Sequence, residues 1–169
     1  MNIRADFYNR IAERLTSIVD ESDAPVIKHF DFWNNQYNDD FREVFAHPAV
    51  FLHIKEMSWQ STGKHRQLGQ MGFDLHIASS TKAKSAFDRQ FTNRWLAHLE
   101  MIDTIHYWLA GWQAGPFGSL QRIRSQHDDL YGDIIKHVET YRCTAVDVAA
   151  MRTYTRLLGD KLVITLKMD

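Results

Sequence analysis

Cysteine is almost missing from this chain. Cys143 is the single one among 169 residues, which excludes an internal disulfide framework and a cysteine zinc cluster. Proline and glycine are also sparse, at three and eight residues, and no Pro/Gly/Ser-rich stretch marks a linker. A collagen-like fibre and a low-complexity chain are therefore excluded. No apolar run approaches the ~20 residues that a membrane-spanning helix needs. Residues 1–6, MNIRAD, are polar and mixed in charge, unlike a secretory signal. Neither sign of charge dominates: 20 Lys and Arg against 21 Asp and Glu leave a net charge of −1. That balance argues against bulk electrostatic binding to nucleic acid. A glycine-rich phosphate loop, a G-x-S-x-G elbow and an H-E-x-x-H helix are all missing.

What remains is an ordinary globular composition with one excess. Hydrophobic residues make up 44% and charged residues 24%, and a chain of this length buries roughly 70% of its unfolded surface. One domain over residues 1–169 is expected, without internal repeats. The excess is aromatic: ten Phe, six Tyr and five Trp. Part of it belongs in a core and part suits a contact surface. The charge is also unevenly placed. Residues 1–56 hold six basic and ten acidic side chains, whereas residues 57–99 hold six basic and two acidic. Two regions of opposite potential on one molecule favour association between copies.

Hydrophobic periodicity supplies the elements. Tyr8, Ile11, Ala12, Leu15, Ile18 and Val19 follow helical spacing, so an amphipathic helix is expected over about 6–20. Residues 26–33 suggest a short strand. Pro48 precedes the strand run Ala49–Lys55. After the turn-like Ser61-Thr62-Gly63, Met71, Phe73, Leu75 and Ile77 alternate with Gln70, Asp74 and His76. The two runs should pair as an antiparallel hairpin with Val50, Leu52 and Ile54 on the inner face. Phe87, Phe91, Trp95, His98, Ile102, Ile105, Leu109 and Trp112 form one stripe of a helix over about 85–111, with Leu96 and Tyr107 on its other side. Leu120–Ser125 and Ile134–Cys143 read as strands joined by a turn containing Asp128 and Asp129. Gly159-Asp160 separates Thr153–Leu158 from Lys161–Met168 as a hairpin would, while residues 146–158 fit a helix equally well. The fold class expected is α+β: an antiparallel sheet of four or more strands with two main helices packed on one face.

The nine histidines are the main source of possible chemistry. His98 sits in the apolar stripe, and His106 is two turns on, about 12 Å along the axis, too far to share a metal. His53 and His76 fall on neighbouring strands, on their polar faces, without a third ligand specified by spacing. His98 is expected to be buried with one hydrogen bond, Cys143 to be an unreactive thiol, and no metal or cofactor is expected. An α+β metal-binding enzyme using His53, His76 or His98 is one alternative function. A monomeric binding domain with an aromatic pocket is another. Lys64 and Arg66, in the hairpin connection, and Lys82 and Lys84, before the long helix, form short basic clusters. With Asp39, Asp40 and Glu43, and with Asp20, Glu21 and Asp23, they are the candidate interface. They carry no interleaved aromatics for stacking on bases.

The order of elements brings a resemblance into view. A helix over 6–20, then HPAVFLHI (47–54), a basic connection, QMGFDLHIAS (70–79), a helix over 85–111 and GSLQRIRSQHDDLYGDIIKHVETYRCTA (118–145) follow one another. This resembles the tail-terminator and minor-tail (tail-completion) proteins of long-tailed bacteriophages. The matching stretches are Pro48–Ile54, Phe73–Ile77, Phe87–Trp112 and Arg122–Tyr141, within a core of residues 5–145. Residues 146–169 are an extra C-terminal element. The resemblance implies a structural, non-enzymatic subunit that forms rings, commonly of six copies. Its partners would be its own copies, the tail tube and head–tail connector proteins. Its place would be the virion tail, or the host cytoplasm when expressed from a prophage, with no membrane and no sequence-specific nucleic acid involved.

Overall fold

The structure, a computed structural model, describes residues 2–36, 45–63, 66–80, 89–131, 134–147, 154–158 and 162–166. Helix α1 (Ile3–Thr16) starts three residues earlier than its apolar spacing suggests, because Asn2 caps it. The Asn2 side-chain oxygen accepts from the backbone N–H groups of Arg4 and Ala5 at 3.1 and 3.4 Å, two of the donors that a helix start leaves without partners. Phe7, Ile11 and Leu15 are the buried residues of the helix, whereas Tyr8 is half-buried and Val19, past the end, is exposed.

Five strands form one sheet. They are β1 (His29–Phe32), β2 (Ala49–Gly63), β3 (Arg66–Ser80), β4 (Gln121–Tyr131) and β5 (Ile134–Asp147), in the order β1-β2-β3-β5-β4. The chain is α+β as expected, but the sheet is mixed, not purely antiparallel. β1 pairs in parallel with β2, His29 opposite Ala49 and Phe32 opposite Leu52. A parallel neighbour needs a crossover between strands, and short-range periodicity contains no signal for its direction. The other pairings are antiparallel. β2 and β3 extend the expected hairpin to 15 residues each. Gly69 permits this near the tip. A Cβ there would lie 2.6 Å from Trp59 Cε3, so the missing side chain leaves room for the indole of the facing residue.

Alternation sorts the sheet into two rows. One row contains Val50, Leu52, Met71, Phe73, Leu75 and Ile77, continued on β5 by Tyr141 and Cys143. These residues share one hydrophobic cluster with Phe7, Ile11 and Leu15 of α1 and with Met101, Ile102, Ile105 and Leu109 of α2 (Arg89–Leu109). Aromatic rings tie it together. Phe7 meets Phe73 and Phe117 edge-on, both at 4.9 Å, and Phe73 stacks on Tyr141 at 5.4 Å. Ile54 and Trp95, expected in the inner layer, are half-buried, and the side chain of Phe91 lies outside the described residues. The second row contains Phe51, His53, Asp74, His76, Lys136 and Thr140. Ala49, Phe51 and Ala78 form a smaller cluster there with Trp33 and Phe45.

α2 gives way to a tight turn at Gly111, whose φ of 71° is the left-handed conformation favoured by glycine. The Gly111 N–H then donates to Leu120 O at 3.1 Å, closing the segment that leads into β4. β4 runs on to Tyr131, so Asp128 and Asp129 lie within a strand rather than in the expected turn. Beyond β5, β6 (Tyr154–Leu158) and β7 (Leu162–Leu166) pair antiparallel as a separate two-stranded sheet. Strand, not helix, is therefore the state of 154–158.

Candidate functional site

Of the candidate interface residues, Arg66 is described, and it is exposed at the start of β3. Lys64, Lys82, Lys84, Asp39, Asp40 and Glu43 lie outside the described residues. Asp20, Glu21 and Asp23 are exposed in the turn after α1. Asp20 organises that turn. Its Oδ1 accepts from the Ser22 hydroxyl and from the backbone N–H groups of Ser22 and Ala24, and these bonds hold its carboxyl below the usual carboxylate range.

The structure separates His98 from His53 and His76, the three candidate histidines. His98, on α2, turns to the Phe73 row. It is 1% exposed, and its Nδ1 lies 2.8 Å from Ser79 Oγ. Its Nε2 has no hydrogen-bond partner among the described residues. Burial pushes the imidazole down to about 4, and the neighbouring His137 and His127 add to the effect. His98 is thus neutral at pH 7. His53 and His76 belong to the opposite row. A site built on all three is ruled out by strand alternation, which sends the two rows to opposite faces of the sheet.

Around His98 the sheet buries more polar chemistry than its apolar pattern suggested. Glu139 of β5 faces Leu75 in register and is fully buried. The Ser125 hydroxyl donates to Glu139 Oε1, and the Arg122 guanidinium pairs with Oε2 at 3.3 Å. His137 Nε2 stands 2.9 Å from both Ser125 Oγ and Glu139 Oε1. Burial pushes the Glu139 carboxyl up, but the hydrogen bonds from His137 and Ser125 and the charges of Arg122 and His137 outweigh it, and the net direction is down. Serine, histidine and glutamate side by side suggest a nucleophile relay, yet the geometry is different. In a relay the nucleophile and the orienting carboxylate occupy different ring nitrogens of the base. Here both approach Nε2, so the imidazole cannot pass a proton from one to the other. The cluster is a closed hydrogen-bonded knot that satisfies a buried carboxylate. Cys143, buried on the same row, has its thiol pushed up to about 12 by burial, which suppresses the thiolate a nucleophile requires.

The Asp74 row carries a second group. His53 faces Asp74 directly across β2 and β3, and His76 is two residues along β3 on the same side. One ligand atom from each of the three lies within 4.8 Å of the others. Asp74 is 4% exposed. Its Oδ1 accepts from the Thr140 hydroxyl at 2.7 Å, and its Oδ2 is ion-paired with Lys55 Nζ. The Trp33 indole lies flat on the His76 ring, 3.9 Å away and 4° from parallel. Next to this group runs a trough of about 840 Å³ lined by Lys55, Gln70, Gly72, Gln121, Thr140 and Arg142. A Cβ on Gly72 would meet nothing within 4 Å, so the trough is open above it.

Sequence reasoning paired His53 with His76 but missed Asp74. The i, i+2 relation of Asp74 and His76 was legible; the register that sets His53 opposite Asp74 was not. Glu139 was missed because a carboxylate among Lys136, His137, Thr140 and Arg142 reads as a surface residue, and its burial leaves no periodic signal. Exposed apolar side chains also stand on α2, with Leu96 at 53% and Tyr107 at 81% exposure. Among the described residues no helix is long and apolar enough to cross a membrane. No protein-family model matches the chain. No curated protein matches it either.

Proposed function

We propose that the chain is a structural subunit of a bacteriophage-type tail, a ring-forming terminator or completion protein or a head–tail joining subunit. The observation that carries this reading is the order and spacing of elements. A helix, a short strand, a long hairpin, a long helix and a second strand pair follow one another as α1-β1-β2-β3-α2-β4-β5, ahead of β6 and β7. The four stretches that carry the resemblance fall in β2, in β3, around α2 and across β4 and β5. In this reading both helices cover the Phe73 side of the sheet. The exposed Leu96, Leu99 and Tyr107 of α2 are then left to neighbours.

A cyclic ring joins two different patches of one molecule, so the patches must be complementary. The acidic turn at Asp20, Glu21 and Asp23 and the basic residues Lys64, Arg66, Lys82 and Lys84 are the charged patches of the proposal. Exposed pairs contribute roughly 0–1 kcal/mol each, so they set register, while the apolar row of α2 supplies affinity. The partners are other copies, commonly six to a ring in the family it resembles, together with tail-tube and connector proteins. The place is the virion tail or the bacterial cytoplasm during assembly. No catalysis and no cofactor are needed for this role.

The test is assembly. The purified chain is weighed in solution and imaged by negative stain, alone and after addition of tail tubes that lack a terminator. Rings, or capped tubes of defined length, are expected, and Leu96→Asp with Tyr107→Asp should abolish them while leaving the fold intact. A chain that stays monomeric and leaves the tubes uncapped overturns the proposal.

A further inference from the structure

We propose that His53, Asp74 and His76 form a binding site for a divalent transition-metal ion of the zinc class. Two imidazoles and one carboxylate are the donor set such ions take, at about 2.0–2.2 Å from each ligand atom. Ligands that close to one ion stand roughly 3–4 Å from each other, by the geometry of those bond lengths. The three atoms here already lie within 4.8 Å of one another. Side-chain rotation on a fixed backbone covers the difference, because the β2–β3 register holds the three Cα positions.

The surroundings have the character of a supporting shell. Metal-binding carboxylates and imidazoles are normally oriented by outer partners. Here the Thr140 hydroxyl holds Asp74 Oδ1 from the next strand, and Trp33 stacked on His76 limits the swing of that ring. One group opposes the ion. Lys55 already neutralises Asp74, so the ammonium and the metal compete for the same carboxylate. Lys55 is a weak competitor, because its side chain is 45% exposed against 6% for Asp74, and it can turn into water when an ion arrives. Three protein ligands leave further coordination positions for water from the adjoining trough, the pattern of an open rather than a closed structural site. The site is independent of the assembly role proposed above.

The competition makes the inference testable with opposite signs. Zinc chloride is titrated calorimetrically into the full chain at pH 7.5, with His53→Ala, Asp74→Asn and Lys55→Ala alongside, each checked for an unchanged circular-dichroism spectrum. One ion per chain is expected. His53→Ala and Asp74→Asn should weaken binding at least tenfold, and Lys55→Ala should strengthen it severalfold. If Asp74→Asn disturbs the fold, His53→Ala and Lys55→Ala still decide the matter. As a second readout, substoichiometric copper(II) should broaden the imidazole NMR signals of His53 and His76 before those of His98 and His137. Absence of binding overturns the proposal. So does zinc binding that His53→Ala leaves unchanged, or early broadening at His98 and His137, because either would place the ion elsewhere.

Discussion

His98 should make this protein sensitive to mild acid, by an amount that follows from its position. The imidazole is 1% exposed and held to about 4, against 6.5 for a free side chain. On acidification the unfolded chain takes up a proton at His98 before the folded chain does. The contribution of this group is therefore intact above pH 6.5 and is lost as pH falls from there toward 4. At 1.36 kcal/mol per unit of difference, the loss amounts to about 2 kcal/mol between pH 7 and pH 5 and about 3 kcal/mol in the limit. A domain of this size is stable by only about 5–15 kcal/mol in all, so the effect is large enough to measure. Glu139 does not obscure it. Its carboxyl is held below the ordinary 4.5 and stays ionised across that interval. The assay is urea unfolding at pH 7 and pH 5, for the natural chain and for His98→Gln, which keeps a polar group toward Ser79 but does not titrate. The natural chain should lose about 2 kcal/mol more than the variant over this interval. Equal losses in the two proteins would refute the reasoning and show that His98 is solvated.

Two further outcomes are expected. Phe73→Ala removes a fully buried ring that touches Phe7 and Tyr141 and should cost about 3–5 kcal/mol, read as a shift in urea midpoint; a cost below about 1 kcal/mol would mean that the cluster repacks. Glu139→Gln should cost about 1–3 kcal/mol at pH 7, and the gap to the natural chain should narrow below pH 4.5. A depressed carboxyl loses its contribution as pH falls through its folded-state value, so a gap unchanged at pH 3.5 would contradict the ionised assignment.

The alternation of Met71, Phe73, Leu75 and Ile77 by itself determines a half-buried strand, because a period of two sends every second side chain to one face. The stripe of Ile102, Ile105 and Leu109 likewise determines a helix packed along one side. Both are local properties, written in residues a few positions apart. Strand direction is not local. Nothing in His29–Phe32 says that it pairs in parallel with β2, since that depends on partners far along the chain. The start of α1 is hidden for a different reason: it lies at the Asn2 cap, earlier than the apolar spacing indicates, and the cap is a hydrogen-bond choice rather than a periodicity. Side-chain neighbours across strands are the least legible. Spacing puts His53 and His76 on adjacent strands, but only the register sets Asp74 opposite His53, and a shift of one residue would send it to the other face. Glu139 reads in sequence as a surface residue. It becomes a buried carboxylate only when β4 brings Arg122 and Ser125 beside it, because burying a charge requires partners that the fold alone assembles.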